Sequence, residues 1–62
     1  MKFKDFMNMY DNWNGIVVVN NRILNLIAKG TVSYIMEEEN GLLDEEVVSF
    51  GFYDNELCVR VL

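Results

Sequence analysis

Histidine and proline are both absent from this 62-residue chain, and cysteine occurs once, as Cys58. Without histidine, neither a Cys/His zinc site nor a Cys–His nucleophile pair exists. A single cysteine builds no disulfide framework. It falls within an expected strand, where it reads as a small half-buried residue rather than a reactive thiol. One cysteine and no secretory apolar segment suit a reducing, cytoplasmic setting. No apolar run reaches the length of a membrane span. Bases are scarce too: five Lys and Arg oppose ten Asp and Glu, for a formal net charge of −5. No base occurs from Gly30 to Val59, while eight of the ten carboxylates lie between Glu37 and Glu56. Direct binding to a nucleic-acid backbone is thereby disfavoured. A solvated acidic surface that keeps the domain in solution is the simplest account of the charge. The sharper one is a face that meets a basic partner.

What the chain has in quantity is apolar side chains, at 52% of residues. Sixty-two residues make one domain, 1–62, and a chain this short buries only about 60% of its extended surface. The apolar surplus therefore goes either into an efficient core or into an interface, and self-association is expected.

Phe3, Phe6, Met7 and Tyr10 recur at i, i+3, i+4 and i+7, so residues 3–11 read as a short amphipathic helix. Asn12-Trp13-Asn14-Gly15 ends it. Ile16-Val17-Val18-Val19 is β-branched throughout and reads as a strand buried on both faces. Asn20-Asn21 is a turn into Arg22–Ala28, read as a strand although Leu24, Ile27 and Ala28 also fit a helical stripe. After a turn at Lys29-Gly30, residues Thr31–Glu37 alternate as a strand, and residues 38–46 read as a loop with room for one helical turn.

The last sixteen residues specify a hairpin. A two-residue turn at Asp54-Asn55 sets Tyr53 opposite Glu56, Phe52 opposite Leu57, Phe50 opposite Val59 and Val48 opposite Val61. The last three pairs form one apolar face, and a slip by one residue would invert every side chain. By this pattern Phe50 and Phe52 belong to the core with Phe3 and Phe6, joined by Tyr34. The expected fold class is α+β: a short N-terminal amphipathic helix followed by a five-stranded antiparallel meander, strongly curved or barrel-like.

No arrangement of residues points to catalysis or to a cofactor. Glu37-Glu38-Glu39 and Asp44-Glu45-Glu46 are consecutive loop carboxylates, whereas glycosidase chemistry needs two carboxylates facing each other across a cleft. Asp11-Asn12-Trp13-Asn14 begins like a calcium loop, but Trp13 holds the third position and no distal Glu follows at the required spacing. No metal site is expected. Gly15, Gly30, Gly41 and Gly51 are isolated and cradle no phosphate. Tyr10, Trp13 and Tyr53 differ from the other aromatics, since each is amphipathic and stands beside Asp or Asn at the end of an element. Trp13 reads first as a cap on the core. As a set the three suit contact with a partner. Tyr10, Trp13, Tyr53, Asp54, Glu38 and Glu45 are the candidate partner-binding residues, with the aromatics as anchors and the carboxylates as electrostatic steering.

The stretch Tyr10-Asp11-Asn12-Trp13-Asn14-Gly15 and the closing Val47-Val48-Ser49-Phe50-Gly51-Phe52-Tyr53-Asp54-Asn55-Glu56-Leu57 resemble those of small proteins carried by prophages and mobile elements of Gram-positive bacteria. The resemblance implies an accessory, non-enzymatic role, such as inhibition of a host defence system in the bacterial cytoplasm. It carries over no catalytic or binding residue. The leading expectation is a protein that binds and inhibits a host protein with a basic surface. The alternative is a homo-oligomer that sequesters a small signalling ligand in a pocket between protomers. A structural or assembly subunit is the third class.

Overall fold

In a computed structural model that describes all 62 residues, the chain runs through α1 (Phe3–Asn8), β1 (Ile16–Asn20), β2 (Leu26–Thr31), α2 (Val32–Glu38), a 3-10 turn (Asn40–Leu42), β3 (Val47–Tyr53) and β4 (Glu56–Val61). The strands form one open sheet in the order β2-β1-β4-β3. Neighbours β1 and β2, and β3 and β4, are antiparallel, whereas β1 and β4 are parallel. The expected five-stranded antiparallel meander, curved or closed into a barrel, is therefore corrected to two helices and a four-stranded mixed sheet.

The missing strand is the segment read as Thr31–Glu37, which is helical. Its alternation of Val32, Tyr34 and Met36 competes with a helical stripe of Val32, Ile35 and Met36. The stripe prevails because it buries Val32 and Ile35 while leaving Tyr34 exposed. Thr31 starts the helix: its hydroxyl oxygen accepts from the Tyr34 amide at 3.1 Å, satisfying one of the donors left free in a first turn. The strand read as Arg22–Ala28 begins later, at Leu26. Residues before it are held in a tight loop by the Asn21 side-chain oxygen, which accepts from the amides of Ile23 and Asn25 at 3.0 Å. The first helix is shorter than residues 3–11, ending at Asn8.

The hairpin forms with Phe52 opposite Leu57, Phe50 opposite Val59 and Tyr53 opposite Glu56. Asp54 and Asn55 take φ of 52° and 65°, the mirror-image turn whose twist matches that of paired strands. One pairing is displaced. A bulge after Val47 sets Val47, not Val48, opposite Val61.

Val17 and Val19 of β1 lie level with Leu57 and Val59 of β4, so these residues share a face with Val61. Phe3 and Met7 of α1, Val32 and Ile35 of α2, and Leu42 cover that face and complete the core. Each such burial is worth roughly 1.5–3 kcal/mol. Neither helix would persist alone at six and seven residues. Loops cap both. The Phe3 and Lys4 amides donate to the carbonyls of Glu45 and Leu43, and the Val32 and Ser33 amides to those of Gly15 and Trp13.

The core assignment of Phe50, Phe52 and Tyr34 is corrected. Phe50 and Phe52 point to the helical side of the sheet, but β3 is an edge strand and α1 does not reach across it. They are 63% and 59% exposed. Substituting Phe3, which is fully buried, by alanine is expected to cost about 3–5 kcal/mol. Phe50→Ala is expected to cost about 1 kcal/mol or less, as for a largely exposed side chain. Paired urea melts followed by circular dichroism check the contrast, and equal losses would place Phe50 in the core.

Candidate functional site

Within the sheet β4 is the sole neighbour of β3. On its outer side the N-terminal segment pairs only with the start of the strand, where the Val47 amide donates to the Met1 carbonyl and Lys2 lies opposite Glu46. Beyond Val47 that edge is free. The seven residues of β3, Val47–Tyr53, include no charge and no proline, two devices by which edge strands resist pairing with another chain, and the one bulge lies at its start, after Val47. Exposed Phe50 and Phe52 stand on this edge next to α1. The Phe6 ring lies 4.8 Å from that of Phe50 at 52°, and Tyr10 lies 6.1 Å from Phe52 at 40°. These are tilted aromatic contacts within the favourable range. Met9 extends the strip at one end and Met1 with Val48 at the other. The depression between Met1, Phe6, Val48 and Phe50 measures about 420 Å³. An apolar groove thus runs along the free part of the β3 edge.

Charge frames this groove. Asp54 follows β3 at one end, and Glu45 and Glu46 precede it at the other. Glu46 pairs with the N-terminal amine, while Asp44 lies 3.6 Å from both Lys2 and Lys4. Glu45 and Asp54 have no ion-pair partner. Exposed pairs such as those at Asp44 contribute little to stability. The start of α1 is held beside β3 by backbone bonds from the Phe3 amide to the Glu45 carbonyl and from the Val47 amide to the Met1 carbonyl.

The aromatics singled out from the sequence do not form one patch. Tyr10 belongs to the groove, half-buried against Phe52. Trp13 packs against the core, and its indole N–H donates to the Met7 carbonyl at 3.0 Å. Its own carbonyl accepts from the Ser33 amide and hydroxyl, so Trp13 ties the end of α1 to the start of α2. Tyr53 projects from the opposite face of the sheet, where its ring lies over Gly51. A Cβ at Gly51 would stand 3.2 Å from that ring. Glu38 is exposed at the end of α2, and the Glu45 carbonyl accepts from the Phe3 amide at 2.8 Å. No three carboxylate or thiol groups converge on a point.

Sequence reasoning passed over Phe50 and Phe52 as contact residues, because alternation marks a sheet face and not whether anything covers it. The uncharged run Val47–Tyr53, bracketed by acids, was the available signal. No helix is long and apolar enough to cross a membrane. No protein-family model, curated protein or solved structure matches the chain.

The Trp13 clamp is testable. Trp13→Phe keeps an aromatic ring but removes one of the two donors to the Met7 carbonyl, the Tyr10 amide remaining, and is expected to cost about 0.5–1.5 kcal/mol. Trp13→Ala is expected to cost about 3–5 kcal/mol. Denaturant titration read by far-ultraviolet circular dichroism checks both, and unchanged midpoints would release Trp13 from this structural role.

Proposed function

We propose that this is a non-enzymatic protein-binding module that acts by accepting a strand of another protein along β3. The observation that carries the reading is the uncharged β3 edge, free beyond Val47, with exposed Phe50 and Phe52 beside α1. Main-chain hydrogen bonds from the added strand supply affinity in this mode, and pockets for alternate side chains supply specificity. Phe50 and Phe52 are the aromatic anchors, and the groove they share with Phe6, Met9 and Tyr10 accommodates the partner's apolar side chains.

The partner's strand is flanked by basic residues. Glu45 and Asp54 lie unpaired at opposite ends of the edge, and the chain holds no base between Gly30 and Val59. This acidic frame speeds encounter with a basic surface. It also disfavours pairing of two copies. Antiparallel β3 edges would bring Glu45 of one toward Asp54 of the other, and facing like charges destabilise a ladder. In the context implied by the resemblance to mobile-element proteins, the partner is a host protein, and binding inhibits it.

The immobilised protein, incubated with lysate of a Gram-positive bacterium, is expected to retain a specific protein. A Phe50→Lys/Phe52→Lys variant is expected to lose it while melting close to the wild type. Retention is expected to weaken as salt rises. Equal retention by the variant would reject the β3 edge. Sedimentation showing a wild-type dimer that the variant dissociates would replace hetero-association with self-assembly.

A further inference from the structure

We propose that the opposite, uncovered face of the sheet is a binding site for a small carboxylate-bearing molecule, centred on Arg60. This goes beyond the protein-binding reading and uses a different surface. A cavity of about 490 Å³ opens there, lined by Asn20, Leu24, Ser49, Gly51, Tyr53 and Arg60 among others. The register places Arg60 of β4 level with Asn20 of β1 on one side and Ser49 of β3 on the other. Strands are spaced about 4.8 Å apart, so three polar side chains form a short row across the sheet.

None of the three has a partner within the chain. Asn20, Ser49 and Arg60 make no side-chain hydrogen bond. Lys2, Lys4 and Lys29 lie within 4.0 Å of a carboxylate, whereas Arg22 and Arg60 do not, and of these two Arg60 is the one that lines the cavity. Its Nε is buried and unsatisfied. A ligand oxygen does not reach that atom, but the two terminal guanidinium nitrogens keep accessible surface and also lack a partner in the chain, so they are the donors left for an acceptor in the cavity. The planar guanidinium matches the two oxygens of a carboxylate. The Asn20 amide and the Ser49 hydroxyl supply further donors.

The walls select an apolar body for that carboxylate. Leu24 holds a φ of 66°, a left-handed conformation that is unfavourable for leucine. The Asn21 bonds to the amides of Ile23 and Asn25 hold the loop in this shape, with Leu24 as a wall of the cavity. The Tyr53 ring, lying over Gly51, forms another. A dianionic phosphate suits the site less, since one guanidinium neutralises a single charge in a chain of net −5.

Titration of the full chain with sodium phenylacetate, followed by nuclear magnetic resonance, tests the proposal. Saturable shifts are expected at the Arg60 guanidinium, the Asn20 side-chain amide and the Gly51 backbone. Neutral phenylacetamide is expected to bind at least about tenfold more weakly, as is phenylacetate to Arg60→Gln. Leu24→Gly is expected to melt no lower than wild type, because glycine adopts positive φ freely, yet to bind phenylacetate more weakly. The absence of saturable shifts, or equal affinity in Arg60→Gln, overturns the site. So does wild-type affinity in Leu24→Gly. Tighter binding of inorganic phosphate than of phenylacetate overturns the carboxylate assignment. Should Arg60→Gln fail to fold, the comparison of phenylacetate with phenylacetamide on the wild type decides alone.

Discussion

The parallel pairing of β1 with β4 is the constraint on which the rest of the molecule depends. It sets Val17 beside Leu57 and Val19 beside Val59, joining two antiparallel hairpins into one sheet with a single buried face. Two parallel strands cannot be joined by a tight turn. The chain between them contributes β2, α2, the 3-10 turn and β3, and α2 with Leu42 covers the face that the pairing creates. By occupying the centre, β4 sends β3 to the edge. Exposure of Phe50 and Phe52 and the free backbone of β3 both follow from that placement.

Size explains why the two faces of the sheet differ so sharply. A chain of this length has only two short helices with which to cover a four-stranded sheet, and they suffice for the central strands on one side. The core is accordingly ten residues, all apolar, with no buried charge. Loop carbonyls cap both helices, so their stability is borrowed from the loops at residues 13–15 and 43–45. Trp13 is the chief fastener in this arrangement, since one residue joins α1, α2 and the core. Surface that the helices do not reach is then available for contact: an apolar groove along the β3 edge, and a polar row on the uncovered face. These proposed surfaces lie on opposite sides of β3 and draw on alternate residues of it. Phe50 and Phe52 face one, while Ser49, Gly51 and Tyr53 face the other. A single uncharged strand therefore contributes to both.

Local chemistry by itself determined the elements whose partners are near in sequence. Asp54-Asn55 accepts positive φ, so the closing hairpin and most of its register were legible from the residues. The stripe of Phe3, Phe6, Met7 and Tyr10 marked the first helix, and β-branching marked β1. The capping potential of Thr31 and the Val32/Ile35/Met36 stripe were also present, but so was a strand-like alternation. A seven-residue segment satisfies both periods until tertiary packing rewards one of them. Which strand stands at the edge was decided only in three dimensions, because strand order rests on contacts between distant residues such as Val17 and Leu57. An alternating pattern reports that two faces differ, and burial depends on what lies over each. Phe50 and Val59 are paired, apolar and on the same face, yet one is exposed and the other fully buried, because a helix of six residues spans the centre of the sheet and not its edge.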